Sequence, residues 1–246
     1  GYYSGELKAR FKASERLRDV NFQCLGELRE DPFFNNILPL VEDLVTTHTP
    51  ILVIETQDNY EISNLGLRYN SKRAKIGVAI AVSMVACTGL QTYVLVPYRD
   101  MVQQMKLYTQ RNYSRLLEGL NVSDRLLFET VHSTLGSEAD VVVAILGRED
   151  FGDINNRTVY FQEPELLNVQ LSRHRKMLIV IGNPRKLWRE AGRVNQMLRE
   201  DTYKPIRVTI EKLMELVGVE NSKLNRMSPR VNRSEGNGGI FIRLSS

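Results

Sequence analysis

LLNVQLSRHRKMLIVIGNP, residues 166–184, contains a short helical run, a cluster of cations and an apolar run ending in Gly-Asn-Pro. Met177 to Gly182 has no polar alternation, which marks a strand covered on both faces. The preceding Glu165 to Arg173 has the apolar spacing of a short helix. Arg173, His174, Arg175 and Lys176 crowd the junction between the two. Four more runs share the strand pattern: ILVIET (51–56), TYVLVP (92–97), LLFETVH (126–132) and ADVVVAILG (139–147). Helix-length segments separate them, at about Arg73–Cys87, Asp100–Leu120 and Pro184–Glu200, with Asp100 placed to cap the second. Strand and helix in alternation predict an α/β fold with a mostly parallel sheet.

The flanks carry weaker patterns. Leu7–Leu28 and Asp31–Thr47 read as helical or irregular, with Pro32 and Pro39 as breakers, and Glu211–Leu216 as a short helix. From Ser222 onward the chain turns polar and runs into Gly236-Asn237-Gly238-Gly239, which reads as a mobile tail. These patterns divide the chain into a lead-in (1–50), a central domain (51–205) and a C-terminal extension (206–246). Gly1 is not an initiator, so the chain reads as starting within a longer one.

Composition narrows the function classes. The chain has 246 residues, 42% hydrophobic and 25% charged, with a formal net charge of +4. That is ordinary for a globular protein with its own core. All of the net charge lies from Ser222 onward, so no global basic field marks a polyanion binder, and any such binding must rest on local placement. Two cysteines, Cys24 and Cys87, match no zinc or disulfide pattern, and the histidines (His48, His132, His174) are too scattered for a metal cluster. Gly1–Lys12 lacks the apolar core of a secretory signal, and Ile76–Cys87 is too short to span a bilayer. An intracellular protein, cytoplasmic or nuclear, with no membrane partner is expected.

The chain has no Gly-Lys dipeptide, hence no phosphate-binding loop of the G-x-x-x-x-G-K-[ST] type, and no G-x-G-x-x-G turn. Three segments nevertheless carry chemistry. The cations at 173–176 include guanidiniums, whose donor forks suit phosphate oxygens; taken alone they are equally a solvated turn. In TVHSTLGSEADVVV (130–143), Gly136 lets a ligand approach backbone, and a carboxylate fixed there, Glu138 or Asp140, can accept from a ribose hydroxyl or orient an arginine; taken alone this is equally a hairpin or crossover turn with a capping acid. In TYVLVPYRDMVQQM (92–105), Tyr98 and Arg99 follow a strand end, where a ring can stack a base or else pack into the core.

In this order and spacing the three segments resemble motifs IV, V and VI of superfamily 1 helicases, in the group of the nonsense-mediated-decay helicase. Thr130, Val131, Gly136, Glu138, Asp140, Val141 and Val142 fit the motif V pattern. Leu167, Asn168, Val169, Leu171, Ser172, Arg173, Arg175, Gly182 and Asn183 fit motif VI and its following strand, and Pro97-Tyr98 fits motif IV. GYYSGELK at the start resembles the stretch after motif III. The resemblance implies a three-layer RecA-like fold of the P-loop NTPase type, lacking its own P-loop. It implies the second motor domain of a helicase that hydrolyses ATP with Mg2+ held mainly by an N-terminal partner domain. Arg173, and second to it Arg175, would be the catalytic arginines. Gly136, Glu138, Tyr98 and Arg99 would border the nucleotide, and Pro97, Thr130, His132 and Ser133 a single strand, RNA in preference to DNA. The sequence departs from the group at Thr134-Leu135, Val96, Val102 and His174. The alternative is a non-catalytic, helicase-derived adaptor for nucleic acid or protein.

Overall fold

The computed structural model describes residues 32–46, 49–62, 68–134, 136–152, 158–219, 233–236 and 238–244. The expected lead-in helix before Asp31, together with Cys24, His48 and Leu135, lies outside the described residues. The five apolar runs become strands β1 (Ile51–Glu55), β4 (Thr92–Val96), β5 (Leu126–Thr130), β6 (Ala139–Ile145) and β7 (His174–Gly182). Two-residue strands β2 (Glu61–Ile62) and β3 (Arg68–Tyr69) form a separate ribbon. The central sheet has seven strands in the order β5-β4-β6-β7-β1-β9-β8, where β8 (Arg233–Gly236) and β9 (Gly239–Arg243) come from the C-terminal segment. All pairings in it are parallel except β8 with β9. Leu52, Val53 and Ile54 of β1 and Val141 to Ile145 of β6 are buried, as continuous apolar strands under two layers of helix must be.

One face is covered by α1 (Pro32–Thr46), α2 (Ser71–Thr88) and α3 (Arg99–Gly119). The other carries α4 (Val159–Gln162), α5 (Leu166–Leu171), α6 (Pro184–Leu198) and α7 (Lys204–Leu216). Helix α2 is apolar nearly all round because it lies between the sheet and its two neighbouring helices. Asn70 caps its start by accepting from the Arg73 amide, and Gly89 at φ 63° ends it. Gly77 sets how closely it approaches the sheet: a Cβ there would lie 2.5 Å from Ile145 Cδ1. Helix α3 is one-sided, burying Met101, Met105, Thr109, Tyr113 and Leu117 at four-residue spacing.

Several local expectations are corrected. Helix α3 starts with Tyr98 at the cap position and no side-chain cap bond, so Asp100 sits in the first turn instead. Helix α1 runs through Pro39, whose ring is exposed while Ile37, Leu38, Val41, Leu44 and Val45 are buried; that burial outweighs one lost backbone bond. Helix α7 starts at Lys204, seven residues before the expected Glu211, with Pro205 in its first turn. Within the segment read as a mobile tail, residues 233–236 and 239–243 are sheet. β9 pairs with β1 from Ile51↔Gly239 to Glu55↔Arg243, and Ile240 and Phe241 are buried.

Candidate functional site

The parallel strands give the sheet two chemically distinct ends. At the amino end, the short loop before β6 meets the junction of α5 and β7. The Ala139 amide donates to the Arg173 carbonyl at 3.0 Å, which fixes Glu138 and Arg173 on neighbouring backbones. Arg173 is half-buried, and its Nε donates to the Val169 carbonyl at 3.2 Å, one turn back along α5. Among the described residues its guanidinium has no carboxylate partner. Arg175 differs: its Nε lies 3.4 Å from Asp140 Oδ1, and its terminal nitrogen donates to Gln91 Oε1 at 3.3 Å. His174 is turned into the core, 1% exposed. Gly136, at φ 89°, is exposed in the same loop. Of the residues singled out from sequence, the fold therefore brings Glu138, Arg173 and Arg175 to one end, while Gly136 lies part-way along the crossover, in a turn closed by the Ser137 amide donating to the Thr134 carbonyl at 3.0 Å.

Pro97, Tyr98, Arg99, Thr130, His132 and Ser133 lie at the opposite end. A five-residue strand separates the two sets, about 16 Å at about 3.3 Å per residue. Tyr98 does not stand free as a stacking platform. Its ring packs edge-on against Tyr60 at 5.3 Å, and its hydroxyl accepts the Arg148 amide at 3.2 Å. Pro97 is buried beside it, and Arg99 is exposed at the start of α3. Ser133 and His132 are exposed but already engaged: Ser133 Oγ donates to Glu129 Oε2 at 2.8 Å, and His132 Nδ1 lies 3.8 Å from Glu163. Thr130 Oγ1 accepts the Ser133 amide at 3.3 Å.

The carboxyl end of an open α/β sheet is where ligands ordinarily bind. Here a network of buried polar side chains lies at that end. Tyr160 accepts the Gly147 amide at 2.9 Å and donates to Gln170 at 2.7 Å, and Gln170 in turn donates to the Leu95 and Ile145 carbonyls at 2.9 Å each. Tyr60 donates to the Leu146 carbonyl at 2.8 Å. Fully buried Arg73 pairs with Glu149 at 2.6 Å and donates to Thr56 Oγ1 at 2.9 Å and the Asp58 carbonyl at 2.9 Å. Glu149 also accepts the Asn183 amide at 2.9 Å. Burial pushes the Glu149 carboxyl above its ordinary range, a rise that Arg73 and the Asn183 amide oppose. Beside this pair, Glu55 is gripped by Arg185 through a two-pronged contact and by Arg243 Nε at 3.0 Å. None of these buried polar residues was found from sequence. The available signal was an acid closing an apolar strand (Glu55) and an arginine inside an apolar helix (Arg73).

Burial raises the pKa of Tyr60, Tyr98 and Tyr160 above the ordinary phenol value. In the unfolded chain the same phenols ionise near pH 10. A raised native pKa means that the folded state keeps its protons while the unfolded state loses them, so stability present below pH 10 falls as pH rises beyond it. The three together should cost about 2 kcal/mol between about pH 9.5 and about pH 10.5. Urea midpoints across that range check this, and a flat profile would show that the phenols reach water.

A seven-stranded, mostly parallel sheet between two layers of helix is the architecture of a RecA-like fold, and the family match below places it in the helicase-type, P-loop NTPase-like class. The chain matches the AAA domain family over residues 1–185 and belongs to it; the domain is found in the C-terminal regions of superfamily 1 helicases. No curated protein matches the chain. Among the described residues, no helix is long and apolar enough to cross a membrane, and no group of three His, Cys, Asp or Glu side chains is placed to hold a metal ion.

Proposed function

We propose that this chain is the second motor half of an ATP-dependent helicase of the nonsense-mediated-decay group, acting on single-stranded nucleic acid, RNA in preference to DNA. The observation that carries the reading is Arg173. It is a permanently charged fork at the sheet's amino end, oriented by its own helix and without a carboxylate partner among the described residues. The other end adds to this, since Tyr98 and Tyr160 are buried there and their hydroxyls are bonded within the domain. The donor set fits a polyphosphate. Arg173 would face its terminal phosphate, Glu138 and Gly136 would border the nucleotide, and Arg175 would lie alongside. The partner domain would hold ATP and Mg2+, and the bound nucleotide would supply the phosphoryl group that is transferred. This chain's part is to bring positive charge to that group when the domains close.

The test is ATP turnover in a protein that carries this chain behind an ATP-binding domain, with and without the Arg173 side chain. Unchanged turnover without it would remove the finger assignment. A second reading, the non-catalytic adaptor, draws on Thr134-Leu135, which stand where the motor group has an aromatic residue and a glutamine. Titrating the isolated chain with a single strand at two salt concentrations separates the two. Tight binding that weakens with salt supports the adaptor, and no binding supports the motor half, which needs its partner to form the track.

A further inference from the structure

Strands β6 and β7 are out of step at the amino end. Ala139 pairs with His174, but Val141 pairs with Met177, so Asp140 alone faces both Arg175 and Lys176. In a regular strand, neighbouring side chains point to opposite faces. An extra residue in one strand bends it and re-aims the side chains on either side. Both cations here turn toward one carboxylate oxygen: Arg175 Nε is 3.4 Å and Lys176 Nζ 3.9 Å from Asp140 Oδ1. Arg175 is steadied from a third segment as well, the residue just before β4, because Gln91, whose side chain accepts from it, has its carbonyl bound by the Val141 amide at 3.0 Å.

We infer that Asp140 is a positioning residue for Arg175, the bulge having been built to present that guanidinium beside Arg173. The inference rests on the motor reading of the amino end. Asp140 touches no phosphate itself. It holds one side of the Arg175 fork, and the guanidinium's five donors leave others to face the cleft. Lys176 has a separate task. One carboxylate between two cations keeps the local charge positive, so an acid placed next to a polyphosphate site does not repel it. An arginine held in place before the ligand arrives loses less freedom on binding than one that must be gathered from solvent.

The experiment measures kcat and KM for ATP in the protein carrying both motor halves, for Asp140→Asn, Arg175→Gln and the double variant. Each single change should lower kcat about fivefold, and the double should fall no further than the worse single, because the two residues act as one unit. Asp140→Glu should restore most of the loss. A wild-type kcat in Asp140→Asn overturns the positioning role, and so do single effects that multiply in the double. Arg173→Ala separates the two levels: if it leaves turnover unchanged, the motor reading fails, whereas if it abolishes turnover and Asp140→Asn does nothing, only the positioning role fails. Should Asp140→Asn not fold, the Arg175 Nε–H NMR signal of the wild-type chain decides. It should exchange with solvent more slowly than the Nε–H signal of exposed Arg99; an equal rate overturns the inference.

Discussion

Replacing Arg173 by alanine should lower ATP turnover about a thousandfold, the lower end of what an arginine delivered across an interface contributes to phosphoryl transfer. The magnitude follows from where the charge acts. A guanidinium that meets the terminal phosphate only when the domains close stabilises charge developing in the transition state, so kcat falls while KM for ATP changes little. Lysine at this position should recover only a small part, since a single ammonium cannot offer two parallel donors to phosphate oxygens. The domain itself should tolerate the change. Arg173 is half-buried and spends one bond on the Val169 carbonyl, so the stability cost should stay within about 0.5 kcal/mol. Steady-state ATPase rates beside a thermal melt of the same sample check both statements. A rate within tenfold of wild type would mean that the cation at the amino end is structural.

Arg73→Met should cost about 3–5 kcal/mol of stability, the range for removing one partner of a buried ion pair. Methionine keeps most of the packing of the arginine stem and removes the charge. Glu149 would then be left in a site where burial already disfavours its ionised form, and the Thr56 hydroxyl and Asp58 carbonyl would lose their donor. Changing Glu149 to glutamine alongside Arg73→Met should recover a good part of the loss, because the uncompensated charge disappears. In a domain of this size the single change corresponds to a melting temperature lower by about 10 °C. A drop of less than a couple of degrees would mean that water reaches this cluster. Arg73 should have no effect on turnover beyond that of lost fold, which separates it from Arg173.

The two arginines also show where sequence reading succeeds and where it stops. The helix–strand junction that carries Arg173 was legible because it is local: a short apolar helix, four residues of cation-rich junction and an apolar strand follow one another in nineteen residues. The meeting of Glu138 with Arg173 was legible only through the resemblance of two separated motifs, and a single backbone bond between Ala139 and Arg173 realises it. Arg73 was not legible. Placed near the start of an apolar helix, it reads as a solvated first-turn charge until the loop after β1 and the end of β6 close over it. For Tyr98 the sequence left two placements open, a ring that stacks a base and a ring packed into the core, and Tyr60 and Arg148 draw it inward.

The C-terminal hairpin makes the same point for the fold. Its glycines read as tail, yet Gly239 is there because a side chain would strike the Ile51 carbonyl 2.6 Å away as β9 docks against β1. The apolar pair Ile240-Phe241 was too short a run to outweigh the polar surroundings.

Sequence alone determined the alternation of buried strands and helices, the mostly parallel sheet and the cationic junction before β7, because each depends on residues within about one element of one another. Tertiary structure alone decided which buried charges could exist. Arg185 and Arg243 reach Glu55 across 130 and 188 residues, and a charge is tolerated in the core only where folding brings its partner. The same closure filled one end of the sheet with tyrosines and ion pairs and left Arg173, at the other end, without a described carboxylate partner.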